Sequence, residues 1–426
     1  MQRKLNRKYL FLVIVLLTPT VLLVGFSNQS AVTLQNLQVV HGNVIKSFGE
    51  IGSLMNSTNT IVQTKAVPVP ERKVPAVKYN LLINSYMNSG SRFTGQLFGF
   101  RKGAFYIYEP LWKYSVWDYY HDDNLVCSST QGSINCSKGT VANVNRMKDR
   151  GRLSVPLAKN VPQNKSIVGM MLDVLDDMYR CDFSRLENMF VPNVQDHLEL
   201  AGPGWNEYRA CTKSRVNTKM SCLKKQEQKC RNASHIVTKV LRLTTGSYDK
   251  LLEKRKNLKI LHLFRNPFAI INSRTESKGY PVRDFISNAA VLCKKMQLDY
   301  EGGIRLTAKY PGRVKLVFYE DIKSNVIEKM NKLYEYIGME SDDDEVKKLN
   351  KVKTNKGKSN TPSMSRTRVS DNAHWWRGHM SFLKYQGVRD KCKQLMTTFN
   401  LTNFKDRQEL LKLDIPEMNI PTGLRI

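Results

Sequence analysis

Tyr79-Asn80-Leu81-Leu82-Ile83-Asn84 followed by Ser85-Tyr86-Met87-Asn88-Ser89-Gly90-Ser91-Arg92-Phe93-Thr94-Gly95-Gln96-Leu97-Phe98 reads as a strand, a small-residue turn and the start of a helix. Small residues in such a turn let successive backbone N–H groups converge on an anion, and the helix N-terminus behind them adds partial positive charge. The stretch is a phosphate cradle. Gly90 and Gly95 have the spacing of a nucleotide-splitting GxxxxGK[ST] loop, but Gln96 and Leu97 stand where that loop needs a Lys for the phosphates and a hydroxyl for magnesium. Holding a phosphate without that equipment points to group transfer from a phosphate-bearing donor, with no metal.

Working outward, Gly103 to Trp112 has an aromatic-rich core, Ala104-Phe105-Tyr106-Ile107-Tyr108, that predicts a short buried strand ending at the Glu109-Pro110 turn. Residues 113–165 hold many turn formers and read as an insertion, and Ile167 to Met178 has helical spacing. Ser234 to Leu241, Leu258 to Phe264 and Val314 to Asp321 read as strands, the second followed by the Arg265-Asn266-Pro267 turn and a helix from Phe268 to Arg274. A further helix is expected from Val326 to Ile337, with Gly338 as its stop. Strands alternating with helices imply α/β architecture, a central parallel sheet flanked by helices, with ligands at the strands' carboxyl ends.

The first eight residues carry Arg3, Lys4, Arg7 and Lys8, and an apolar run follows from Tyr9 to Phe26. At ~1.5 Å per residue this run reaches about 27 Å, nearly the hydrocarbon thickness of a thin membrane. The basic flank keeps residues 1–8 cytosolic, makes 9–26 a signal anchor and puts the rest on the lumenal side; a cleaved signal peptide has a shorter apolar core. Residues 27–77, rich in Asn, Ser, Thr and Val and closed by Pro68, Pro70 and Pro75, read as an extended stem, and 78–426 as the catalytic domain. Six sequons, at Asn28, Asn56, Asn135, Asn164, Asn232 and Asn400, agree with a secretory course and a glycoprotein. All eight cysteines follow the anchor and are expected in disulfides rather than on zinc, with Cys127–Cys136 as one short loop. Of the formal charge of +30, residues 1–8 supply four, leaving +26 for 27–426. Such a field attracts polyanions, and on the lumenal side these are acidic glycans rather than nucleic acid.

Four blocks in order resemble the Golgi carbohydrate sulfotransferases, in particular the branch acting on 6-hydroxyls of galactose, N-acetylglucosamine or N-acetylgalactosamine. They are Ser89 to Phe98, Tyr108-Glu109-Pro110-Leu111-Trp112, Arg265-Asn266-Pro267 with Ser273-Arg274, and Tyr319-Glu320-Asp321. The resemblance implies a P-loop-like sulfotransferase domain, a type II Golgi membrane protein, and 3′-phosphoadenosine 5′-phosphosulfate (PAPS) as co-substrate without a metal. Ser89, Gly90, Ser91, Arg92, Phe93 and Thr94 would hold its 5′-phosphosulfate. Arg265 and Ser273 would reach the 3′-phosphate, an Arg there giving a bidentate contact, and Trp376-Arg377 would match a late donor block. Glu109 is the candidate base, expected to have a raised pKa, with Arg92 as a catalytic cation. The implied partners are a glycan or glycosaminoglycan acceptor, an acidic one included, the membrane through the anchor, and a second copy of the chain in a homo-oligomer.

One departure opens an alternative. The family's Arg at the head of the donor loop is Asn88 here, and Arg92 stands where a Ser is usual. Either Arg92 substitutes, or the chain is a catalytically weak, glycan-binding relative. A type II Golgi glycosyltransferase is the other rival, since Asp342-Asp343-Asp344 contains an Asp-x-Asp pattern, although its position reads better as helix capping. The basic stretch Lys347 to Arg368 reads either as a solvated loop or as a cover over the donor or an acidic acceptor.

Overall fold

The computed structural model describes residues 79–111, 118–121, 125–128, 136–143, 162–184, 203–214, 218–276, 284–344, 346–347 and 371–426. All of them belong to Lys73–Ile426, the larger of two compact units. The expected anchor and stem, Trp112, and the bulk of the Lys347 to Arg368 stretch lie outside the described residues. Among the described residues no helix is long and apolar enough to cross a membrane.

The strands are β1 (Tyr79–Asn84), β2 (Ala104–Tyr108), β3 (Asp118–His121), β4 (Leu125–Ser128), β5 (Cys136–Lys138), β6 (His235–Val240), β7 (Leu258–Phe264) and β8 (Val314–Phe318). Five of them make one parallel sheet in the order β2-β6-β1-β7-β8. Its core strands are apolar on both faces, as a sheet covered by helices on both sides requires. One face, with Leu81, Ile83, Val237, Leu261, Leu263 and Val317, packs under the helices α1 (Ser91–Gly99) and, later in the chain, Val326–Ile337. The other, with Leu82, Ile236, Val240, Ile260 and Phe264, packs under helices α2 (Ile167–Tyr179), α3 (Pro267–Glu276) and α4 (Phe285–Lys309).

Most sequence boundaries hold within a residue or two. Val326–Ile337, hereafter α6, is capped by Asn325 on the Glu328 N–H and stopped by Gly338 at φ 77°. The expected strand through Asp321 is a correction: β8 ends at Phe318, and Tyr319–Ser324 turns into a short helix, α5. The 113–165 insertion contains, in its described part, the antiparallel sheet β3-β4-β5. Cys127–Cys136 links its strands as expected, and Cys181–Cys230, Cys211–Cys222 and Cys293–Cys392 complete four disulfides.

Beneath the loop that follows β1 lies a buried polar network. The Tyr86 hydroxyl donates to Asp299 Oδ2 at 2.8 Å and lies 2.9 Å from His262 Nε2. Asp299 also accepts from Lys295 Nζ at 2.6 Å and from the Thr245 N–H at 2.7 Å. Burial pushes the His262 ring down to about 3, so it stays neutral. Between its ordinary value and about 3 the unfolded chain binds the extra proton, so this histidine makes stability fall as pH drops through that window. Melting temperature should therefore decline from about pH 6.5 downward, and less steeply in His262→Gln. Asp299→Ala should cost ~3–5 kcal/mol by leaving Lys295 as a buried unpaired charge, read by urea denaturation.

Candidate active site

The turn between β1 and α1 is held in shape by its own hydroxyls. Ser89 Oγ donates to the Tyr86 carbonyl at 2.7 Å and lies 2.5 Å from Ser85 Oγ, with Ser85 Oγ donating to the Leu263 carbonyl of β7 at 3.0 Å. These hydroxyls are spent on the loop itself, while the first turn of α1 directs its N–H groups back along the axis toward the loop. Gly90 sits at φ 85° as the residue before α1. A Cβ on it would lie 2.2 Å from Tyr319 Cε2, so the ring of α5 lies directly against the loop backbone. Gly95, the other glycine of the motif, serves packing instead, since a Cβ there would meet the Tyr106 hydroxyl at 2.3 Å, and its absence lets α1 approach β2.

Two arginines grip the loop from the far side. Arg265, at the carboxyl end of β7, donates through Nη1 to the Asn88 carbonyl at 2.8 Å and lies 5.0 Å from the Tyr319 ring centroid. Arg274 Nε donates to the Met87 carbonyl at 3.4 Å while its Nη1 reaches Asn288 Oδ1 at 2.9 Å. Asn88, at φ 66°, donates its amide to Ser273 Oγ at 3.1 Å. Asn88 thus ties the loop to Arg265 through its carbonyl and to Ser273 through its amide. Phe93 packs edge-on against Tyr319, with Lys323 Nζ 5.0 Å from its centroid. Thr94, inside α1, is buried.

On the other flank, at the carboxyl ends of β2 and β6, stands a cluster that sequence reading found only in part. Glu109, at φ 42°, pairs with Lys239 Nζ at 2.5 Å and with Arg242 Nη2 at 3.6 Å. Arg92 is close enough to act on Lys239 and Tyr108 electrostatically. Burial alone would raise the Glu109 carboxyl, but Lys239 and Arg242 outweigh it and hold it down at about 2. The raised pKa expected of Glu109 is thus reversed, because Lys239 of β6 and Arg242 just past the end of that strand both reach it. Lys239 and Arg242 were legible only as charges in and just after a largely apolar strand.

Trp376 and Arg377 face the C-terminal segment. They lie in the helix Asp371–His379, named α7, and serve the C-terminal segment. Arg377 is 1% exposed and donates to the carbonyls of Leu410, Lys412 and Ile415, while Trp376 stacks on Phe268 and donates to Glu417 Oε2 at 2.6 Å. Glu417 in turn accepts from the Asn266 amide at 3.0 Å, and Glu320 accepts from the Asn266 N–H at 3.0 Å. An amide at 266 suits this place because two carboxylates face it, and burial followed by the nearby Glu417 pushes Glu320 up to about 7. A cavity of about 750 Å³ opens beside them, lined by Glu320, Lys323, His374, Trp375 and Leu413 among others. Asp343 accepts from Asn331 and Asp344 pairs with Lys347; among the described residues no acidic, His or Cys group is arranged to hold a metal.

The sulfotransferase domain family matches residues 79–409, from the start of β1 to beyond α7. The chain belongs to that family. It is therefore a sulfotransferase. It is similar to carbohydrate sulfotransferase 1 of Rattus norvegicus, 24% identical over 63% of this chain and 67% of the relative. Carbohydrate sulfotransferase 3 of Mus musculus is 22% identical over 79% of this chain and 71% of its own length. Among solved structures, mouse sulfotransferase SULT7A1 complexed with PAP aligns over 76% of this chain and 87% of its own, at 11% identity and a TM-score of 0.34.

Gly90→Ala forces a side chain into a left-handed backbone and against Tyr319, so it should destabilise the protein by ~1–3 kcal/mol, read by thermal melting. Gly312→Ala, also at positive φ but with no neighbour within 4 Å, should cost less than Gly90→Ala.

Proposed function

We propose that this sulfotransferase moves the sulfo group of PAPS to a sugar hydroxyl, a 6-hydroxyl by the resemblance of its sequence blocks, on a glycan or glycosaminoglycan in the Golgi lumen. One observation carries the reading: a glycine-centred loop before a helix N-terminus, gripped through its carbonyls by Arg265 and Arg274. The names of the relatives supply the carbohydrate acceptor. The cation-rich flank of Arg92, Lys239 and Arg242 fits the 5′-phosphosulfate, and Arg265 with Ser273 fits the 3′-phosphate.

In this reading the acceptor oxygen attacks sulfur in line with the leaving phosphate. Loop N–H groups and fixed cations stabilise the charge that moves onto adenosine 3′,5′-bisphosphate. A transferring sulfo group carries less charge than a phosphoryl group, so this set suffices without magnesium. The anchor, the stem and the type II course supply the lumenal position.

Asn88 favours the weak-relative reading, since the amide is tied to Ser273 and brings no charge to the loop. Turnover separates the two. The full-length protein should transfer radiolabelled sulfate from PAPS to at least one member of a glycan panel, unchanged by EDTA. Arg265→Ala should weaken adenosine 3′,5′-bisphosphate binding about 10- to 100-fold by calorimetry. Nucleotide binding without transfer to any acceptor would decide for the weak relative, and absence of nucleotide binding would end the donor reading.

A further inference from the structure

The turn that presents Arg265 is held between two acids. Asn266, the next residue, donates its N–H to Glu320 Oε1 and its side-chain amide to Glu417 Oε2, each at 3.0 Å. Glu417 comes from the C-terminal segment and is fully engaged: Trp376 Nε1 donates to Oε2 at 2.6 Å, and His374 Nδ1 pairs with Oε1. Glu320 is not. Its Oε2 is buried with no hydrogen-bond partner among the described residues. A carboxylate in that position lacks the donors an anion needs, whereas the protonated carboxyl is far less costly to bury.

The cations that face Glu320 are directed elsewhere. Arg265, from the end of β7, acts on it across the turn while donating to the Asn88 carbonyl. Lys323, three residues along α5, lines the same cavity and lies over the Phe93 ring. From α7, His374 is turned to Glu417, whose hydrogen bond holds the imidazole above its ordinary value, and Arg377 donates to carbonyls of the C-terminal segment. Glu320 also follows Tyr319, the residue whose ring lies against Gly90 and near the Arg265 guanidinium. A change of charge at 320 is therefore felt where the loop, the ring and Arg265 meet.

We infer that Glu320 is a proton-linked positioning residue of the donor site: uncharged, it leaves the Arg265 guanidinium to a phosphate, and ionised, it competes for that guanidinium and repels the phosphate. This rests on the donor reading above, in which Arg265 meets the 3′-phosphate, and deepens it by making donor binding take up a proton.

The sign follows from the surroundings. Burial, and after it Glu417, push the Glu320 carboxyl up to about 7 against the pull of Arg265. A phosphate on Arg265 brings further negative charge and absorbs part of that pull, so the carboxyl holds its proton more strongly when the nucleotide is bound. Linkage then makes affinity greatest below about pH 7, where Glu320 is already protonated, and lets it decline as pH climbs through that value. Above it, the carboxylate takes a proton from water as the nucleotide enters and returns it on release.

The test is calorimetric titration of adenosine 3′,5′-bisphosphate into the full-length protein and Glu320→Gln at about pH 6, 7 and 8, in buffers of different ionisation enthalpy so that proton uptake is read directly. The nucleotide's phosphates ionise near pH 6, and Lys323, pushed down to about 8 by burial, takes up protons as well. Both contributions are common to the two proteins, so their difference isolates Glu320. At about pH 6 the two should bind alike. At about pH 8 Glu320→Gln should bind about 3- to 10-fold more tightly than the wild type, and it should take up fewer protons per nucleotide. A merely structural role for Glu320 would weaken binding equally at every pH. If Glu320→Gln misfolds, the wild type alone decides: at about pH 8 the phosphates are already dianions, so binding without net proton uptake overturns the inference. The same pH dependence in both proteins, or weaker binding by Glu320→Gln at about pH 8, overturns it too. A wild-type protein that binds no nucleotide at any of these pH values instead removes the donor reading beneath it.

Discussion

The Tyr319 ring against the bare backbone of Gly90 is the contact from which the site takes its shape. Without a Cβ the loop backbone can lie against the ring and adopt φ 85°, which an L side chain tolerates poorly. The same ring meets Phe93 edge-on and carries the Arg265 guanidinium 5.0 Å from its centroid. One aromatic at the start of α5 thus fixes loop, helix start and cation together. Arg265 then reaches Asn88 and ties the loop to β7.

Charge is distributed unevenly around that loop. Beneath it, His262, Asp299, Lys295 and Tyr86 form a satisfied, closed network that keeps the loop's base rigid. Beside it, Glu109 faces more cations than it can neutralise. The first arrangement is balanced internally. The second has a surplus of positive charge, which is how a donor that carries several negative charges would find compensation. Asn266 shows the same logic: an amide N–H₂ donates where Glu417 waits, whereas a carboxylate would place three acids together.

Strand and helix boundaries were legible because they depend on near neighbours in the chain. Apolar alternation defined β1, β6 and β7, while Asn325 and Gly338 marked the ends of α6 by local hydrogen bonding and positive φ. Tyr319-Glu320-Asp321 was misread as strand because its apolar-to-acidic pattern is compatible with both, and packing of the ring on Gly90 is a distant contact. Trp376 and Arg377 looked like donor residues from their order in the chain, yet Arg377 spends its donors on carbonyls more than thirty residues away. The Glu109 carboxyl was read from its own aromatic neighbours, and Lys239 lies 130 positions further on.

The alternating α/β order, the glycine turn between β1 and α1, the small disulfide loop at Cys127–Cys136 and the Arg265 strand end could all be read from the chain unaided, since each is written in residues close together along it. Folding alone settled which charges meet: Lys239 with Glu109, Asn88 with Ser273, Asn266 with Glu417. Pairing energies at a sheet's carboxyl edge depend on strand order, and β6 inserts between β1 and β2 although more than a hundred residues separate it from either. That insertion carries a lysine to a carboxylate and reverses the proton affinity that local sequence suggests.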